Sequence, residues 1–328
     1  MNTLQTQLFS SHVRAMPIAM YPGIHLTGMT VKQIVTNASH QFEVQAALHE
    51  RYKTAVVLTG MDLSVEAEEF GSTVRFEESE IPTVVERLIT DSSSIQKLES
   101  PIPGQKRTQV YLDTARFLTK LTDKPIVLGG VIGPFSLAGR LFGVGELLEL
   151  TIEDASSVHR LLEKTTIFLT EYVSAFKESG ANGIILAEPT AGLLSPRALA
   201  LFSSHYVKYI NDTIGDENFL IALHNCGAKK THIQAILQSN ISLFHFGSPM
   251  DIIYALEHVD SSISIAGNLD PSSVFVNGTP KDINDNTFDL LNATSNYKNF
   301  VISSGCDLPP DVTIDKLDAF YEAVNVFM

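Results

Sequence analysis

The sequence predicts an α/β protein of the (β/α)8 TIM-barrel type, and three observations carry that prediction. Eight short apolar stretches of strand length recur along the chain. Segments with helical spacing separate them, the alternation that gives a parallel sheet. Polar and titratable residues gather where the apolar stretches stop, and in a closed barrel the C-terminal ends of all strands ring one pocket. A length of 328 residues suits one barrel spanning 1–328. An open doubly wound sheet is the alternative, but no glycine-rich phosphate loop follows the first strand.

Each element has its own signal. Arg14 to Tyr21 reads as the first strand, closed by Pro22-Gly23. Thr30 reads as the N-cap of a helix reaching about Tyr52, with Val31, Ile34, Val35, Ala38 and Phe42 on one stripe. Thr54–Leu58 is the second strand, and residues 72–105, with Glu77, Glu78, Glu80 and a serine tract, form a polar excursion on the surface. Val110–Lys120 is helical, Pro125–Val131 is the third strand, and helical patterning runs with interruptions from Ser136 to Ser179. Gly183–Ala187 is the fourth strand and Ser195-Pro196 opens another helix. The remaining strands are the run from Phe219 into His224, then Ile241–Phe246, Ile263–Ala266 and Phe300–Ser303.

Composition narrows the function. A formal charge of −14 disfavours nucleic acid and gives no basic patch for anionic lipid. Two cysteines in a chain of this length argue against a disulfide framework and for a reducing compartment. The start, Met1 to Gln7, lacks the basic and apolar character of a secretory signal. The most membrane-like window, Pro125 to Gly145, contains Pro134, Arg140 and six glycines, and reads instead as strand, turn and helix start. The expectation is a cytoplasmic protein with no membrane partner.

The chemistry concentrates at Phe219-Leu220-Ile221-Ala222-Leu223-His224-Asn225-Cys226-Gly227. Side chains alternate across a strand, so His224 and Cys226 point to the same side at its exit. The other cysteine, Cys306, ends the eighth strand 80 residues later. Together they offer an imidazole and two thiolates to one zinc ion, with a fourth position open. Two thiolates and a neutral imidazole cancel the charge of the dication, which makes a mild Lewis acid. Such a centre is poor at generating hydroxide but able to bind a thiol and strip its proton. Thiol alkylation therefore fits better than hydrolysis. Glu188 and Asp62 are candidates for a catalytic carboxylate filling the fourth position at rest. His245, Asn268 and Asp270, also at strand ends, are candidates for substrate contact.

Plainer readings stand beside these. A free cysteine is usually a small buried hydrophobe, His245 a satisfied pocket histidine, His25 a loop residue, and Asp270 before Pro271 a turn or cap. Glu66, Glu68 and Glu69 read as a solvated helix face.

The chain resembles the uroporphyrinogen decarboxylase superfamily, specifically its methylcobamide:coenzyme M methyltransferase branch. The likeness lies in Glu66-Ala67-Glu68-Glu69-Phe70-Gly71, Gly130-Val131-Ile132-Gly133-Pro134-Phe135, Leu194-Ser195-Pro196, His224-Asn225-Cys226-Gly227, Gly267-Asn268-Leu269-Asp270-Pro271, Gly278-Thr279-Pro280 and Ser304-Gly305-Cys306-Asp307. His224, Cys226 and Cys306 stand where that branch binds zinc. The resemblance implies a zinc-held thiolate that takes a methyl group from a methylated corrinoid, a methylcobamide, carried by a separate corrinoid protein. The products would be a thioether and Co(I) corrinoid. Family members usually carry a helical segment ahead of the first strand, whereas 13 residues precede Arg14, so coenzyme M is not carried over as the thiol. The decarboxylase branch needs an N-terminal arginine cluster for its tetracarboxylate, and only Arg14 precedes Arg51. A non-catalytic barrel that binds a corrinoid or its carrier, and a structural zinc tying the fifth and eighth strands together, are the competing expectations.

Overall fold

A computed structural model describes residues 15–327. Seven parallel strands form one curled sheet in the order β1 (Val56–Leu58), β4 (Ile126–Ile132), β5 (Gly183–Ala187), β6 (Leu220–Asn225), β7 (Leu243–Phe246), β8 (Ser264–Leu269) and β9 (Phe300–Ser304). The two remaining strands, β2 (Val74–Arg75) and β3 (Thr83–Val84), make a small antiparallel pair.

The eighth stave is formed differently from the expectation. Ala15 bridges Ile302 in parallel, and Met16 N–H donates to the Ile302 carbonyl at 2.9 Å. Ile18 N–H then turns to Ser304 Oγ at 3.0 Å, and no ladder continues. Pro17 has no N–H to give, and at Tyr21–Gly23 the chain is already coiled into a 3₁₀ turn. Residues 15–19 thus form a stave beside β9 but not a strand. Met16 and Ile18 meet β1 through side chains, sharing one core with Val56 and Leu58. Arg14, where the expected strand began, lies outside the described residues.

Alternation along the strands separates two cores. The register pairs Ile185 with Ala222, Ala222 with Leu243, Ala187 with His224 and His224 with His245. One parity therefore points into the barrel: Leu58, Leu128, Ile185, Ala222, Leu243, Ala266 and Val301 fill its interior. The other parity, including Val57, Val127, Ile184, Ile221, Phe244 and Ile265, packs outward on the helices. A methyl group on Gly129 would lie 2.6 Å from the Phe176 ring, so its bare Cα is what lets the helix Ala155–Glu178 lie close to β4.

Two other expectations are corrected. Thr30 closes a capping box with Gln33, but its helix runs only over Val31–Thr36. Asn37 leaves helical geometry and accepts from Ser39 N–H and His40 N–H, which starts a second helix, Ala38–Tyr52. The helix Val65–Phe70 is not a solvated face, because Glu66 and Glu69 are buried. Glu66 Oε1 accepts from Ile132 N–H, while Glu69 accepts from Gln105 N–H, Lys106 N–H and the Thr108 hydroxyl. The segment 72–105 is largely exposed, yet it buries Ile89 and Ile95 and carries Ile81, Pro82 and Val84 to the barrel mouth. No helix among the described residues is long and apolar enough to cross a membrane.

Candidate metal centre

The upper layer of the barrel interior is polar where the lower layers are aliphatic. His224 from β6, His245 from β7 and Ser303 from β9 occupy it, all buried. Cys226 follows β6 and Cys306 follows β9. One ligand atom from each of His224, Cys226 and Cys306 lies within 4.8 Å of the others. The tight turn after β7 helps to set Cys226: a Cβ on Gly247 would strike the Cys226 backbone carbonyl.

The hydrogen bonds behind His224 assign its tautomer. Ser303 Oγ donates its one proton to the Met16 carbonyl at 2.6 Å, so towards His245 Nε2, 2.7 Å away, it accepts. His245 Nε2 therefore carries hydrogen. Burial, with the neighbouring His224, holds the His245 ring well below its ordinary pKa and hence neutral, leaving Nδ1 bare. That nitrogen accepts from His224 Nδ1–H at 2.8 Å. His224 Nε2 is left as a buried lone pair with no partner among the described residues. An orphaned imidazole nitrogen facing two thiols fits a soft cation.

The two thiols share a charge unequally. A hydrogen bond from Cys306 pulls the Cys226 thiol far below its ordinary value, and that negative neighbour, with burial, pushes Cys306 up. Both cysteines are free.

None of the other residues expected at the site is on the wall of the cavity into which these three open, and each has partners of its own. Asp62 is buried in a network, accepting from Ser64, from Arg107 Nη1 at 2.5 Å and from Tyr111. Glu188 is fully buried and accepts from Phe135 N–H, Ser136 N–H and the Ser136 hydroxyl at the start of the helix Pro134–Phe142. Burial pushes its pKa up to about 7 against the pull of those bonds. His245 stands behind His224 rather than in the pocket wall. Asn268 Nδ2 donates to the Gly247 and Met250 carbonyls. Asp270 accepts from Ser272 N–H, Ser273 N–H and the Ser248 hydroxyl, a cap on the turn that follows.

His224, Cys226 and Cys306 open into a cavity of about 740 Å³, counting its mouth. Its walls are mostly apolar, with Met61, Leu63, Ile81, Pro82, Val84 and Ala187. Arg140 and Asp307 are the charged side chains on it that sequence reasoning did not single out. Both left a signal. Arg140 is a lone charge in an apolar helix, and Asp307 directly follows Cys306.

The family model described as Uroporphyrinogen decarboxylase (URO-D) matches residues 18–327. A methylcobamide:CoM methyltransferase of Methanosarcina acetivorans is 25% identical over 323 residues, covering 93% of this chain and 94% of its own length. A uroporphyrinogen decarboxylase of Cronobacter sakazakii is 24% identical over 299 residues, covering 88% of this chain and 83% of that one. Among solved structures, a methyltransferase from Methanosarcina mazei superposes with a TM-score of 0.85 at 19% identity, over 99% of this chain and 97% of that one.

Proposed function

This chain belongs to the uroporphyrinogen decarboxylase family, and we propose that within it the protein is a zinc-dependent methyltransferase that moves a methyl group from a methylated corrinoid to a thiol. The observation that carries the reading is the meeting of His224, Cys226 and Cys306 within 4.8 Å at the barrel mouth, with His224 Nε2 unpartnered. Relatives named as methylcobamide:CoM methyltransferases support it from a separate direction.

Zinc held by these three residues would favour an incoming thiol as its anion while leaving the sulfur electron-rich. The protein contributes the rest. His245 and Ser303 keep the His224 proton on Nδ1, away from the ligand atom. Met61, Leu63, Ile81, Pro82 and Val84 give the cavity a largely apolar wall, against which a bound thiolate would be less solvated than in bulk water. The open mouth admits the methyl donor, presented by a partner corrinoid protein. Sulfur attacks the methyl carbon, the C–S bond forms, and the Co–C bond breaks with its electron pair left on cobalt. The thiol proton is released, so a thiol and methyl-Co(III) corrinoid become a thioether, Co(I) corrinoid and a proton.

The test is incubation of zinc-loaded protein with methylcobalamin and a thiol panel, following Co(I) or its oxidised product. Thiol-dependent demethylation, abolished by Cys226→Ser or Cys306→Ser, is expected. A folded, zinc-loaded protein that binds methylcobalamin without transfer to any thiol would instead support a non-catalytic corrinoid-binding barrel.

A further inference from the structure

The two cysteines have a second chemistry open to them besides holding a metal. They are the only thiols in the chain, 80 residues apart, and β7 and β8 separate their strands in the sheet. The barrel nevertheless brings both to one cavity, with ligand atoms within 4.8 Å of each other and a hydrogen bond between the thiols. Neither sits in a ladder. Cys226 opens a turn directly after β6 ends at Asn225, and Cys306 lies in a bend two residues after β9 ends at Ser304. Closing the sulfurs to the about 2 Å of a disulfide therefore asks for movement in turns rather than in paired strands. Both are partly exposed and free, so a small oxidant entering the cavity reaches them.

We propose that Cys226 and Cys306 form a reversible redox site: when no metal holds them, a peroxide converts the pair to a disulfide, and the disulfide no longer binds zinc. This deepens the metal-site reading and rests on it for its consequence, the loss of zinc; the dithiol chemistry stands without it. One sulfur attacks the O–O bond of the peroxide, an S–O bond forms, and the first water leaves a sulfenic acid. The other sulfur displaces that hydroxyl as a second water, and the S–S bond forms. Two thiols and one hydrogen peroxide thus become one disulfide and two waters, with two electrons passing from sulfur to oxygen. The near partner is what makes the step reversible, because a sulfenic acid with no thiol beside it goes on to acids that thiols do not reduce. Of the three candidate ligands only His224 Nε2 then remains, and one imidazole is too few for a zinc site. Bound zinc engages the same sulfur lone pairs and opposes the reaction.

The experiment uses the reduced full-length protein, stripped of metal by a chelator and treated with stoichiometric hydrogen peroxide. Free thiols are counted, the intact mass is measured, and peptides are mapped without reduction. Both thiols are expected to disappear together, the chain to become about 2 Da lighter, and Cys226 and Cys306 to be found cross-linked within one chain. Zinc uptake, read with a chelating dye, should fall at least roughly ten-fold and return after dithiothreitol. Zinc-loaded protein should lose its thiols more slowly than metal-free protein. Cys226→Ser and Cys306→Ser should each gain about 16 Da instead and label with dimedone, the mark of an unresolved sulfenic acid. The wild-type mass and cross-link decide the matter even if a serine variant fails to fold. Thiols that persist in the folded metal-free protein, that go to sulfinic acid, or that pair between chains would overturn the redox site and leave the zinc centre standing. A disulfide that forms in a protein whose reduced form takes up no zinc would overturn the metal reading and leave the dithiol chemistry standing.

Discussion

Ser303 has a single proton to give, and giving it to the Met16 carbonyl decides the state of two histidines behind it. Removing that hydroxyl should therefore be felt at the metal rather than in the fold. Ser303→Ala leaves His245 Nε2–H without its acceptor and frees the ring to turn or change tautomer. His224 then loses the fixed acceptor for its Nδ1–H. Zinc affinity is expected to fall by about ten- to a hundred-fold, the usual scale for partners of metal ligands. Competition against a chelating dye measures this, with circular dichroism confirming an unchanged fold, and undiminished affinity would show the chain of bonds to be incidental. The three candidate ligands were legible because soft side chains are scarce here: both cysteines end apolar strands, one with a histidine two residues before it. The hydrogen-bonded residues behind them were not, since which serine faces which histidine depends on β7 and β9 sharing a barrel interior across β8.

At the scale of elements, the approach of helix to strand is set by absent side chains as much as by present ones. Gly129 on β4 is the clearest case. A methyl group there meets the Phe176 ring at 2.6 Å, and neither partner has room to retreat, since Phe176 is fully buried. Gly129→Ala is expected to cost about 1–3 kcal/mol as overpacking. Combined with Phe176→Leu it should cost less than the sum of the two single changes, since they touch the same contact. Chemical denaturation reads both quantities, and strict additivity would show that the two residues do not bear on each other. Strand positions were readable from apolar runs ending in glycine or proline, so Gly183–Ala187 is found where expected. The helix break at Asn37 was not, because an uninterrupted apolar stripe hides a cap that acts through one side-chain oxygen. Nor was the first stave, where the continuous apolar run of Ala15 to Met20 reads as a strand although Pro17 cannot sustain a ladder.

Across the whole molecule, buried carboxyl groups tie stability to pH. Glu66 is nearly inaccessible, with Oε2 unpartnered, and burial pushes its pKa from 4.5 up to about 8 against the pull of its backbone hydrogen bonds. Below the ordinary value the folded and unfolded chains both hold the proton. Between the two values the folded chain holds a proton that the unfolded chain lacks, so this contribution is lost as pH rises through the folded value. Relative to Glu66→Gln, the wild type should lose stability from about pH 5 to about pH 8, no more steeply than about 1.4 kcal/mol per unit. Unfolding followed at several pH values in both proteins checks this, and parallel curves would place the proton elsewhere. The acid run Glu66 to Glu69 misled sequence reading because burial depends on where the helix Val65–Phe70 docks against β4, beyond the reach of local spacing.

The same global arrangement brings the three candidate ligands, from two remote stretches of chain, to one mouth. Zinc-edge X-ray absorption of the reduced, zinc-supplied protein tests that arrangement most directly. Two sulfurs at about 2.3 Å and one imidazole nitrogen are expected, with a third sulfur appearing when an accepted thiol is added. A folded, reduced protein that takes up no zinc, or one whose sulfur count is not two before addition or does not rise after it, would contradict a thiol-activating centre built from His224, Cys226 and Cys306.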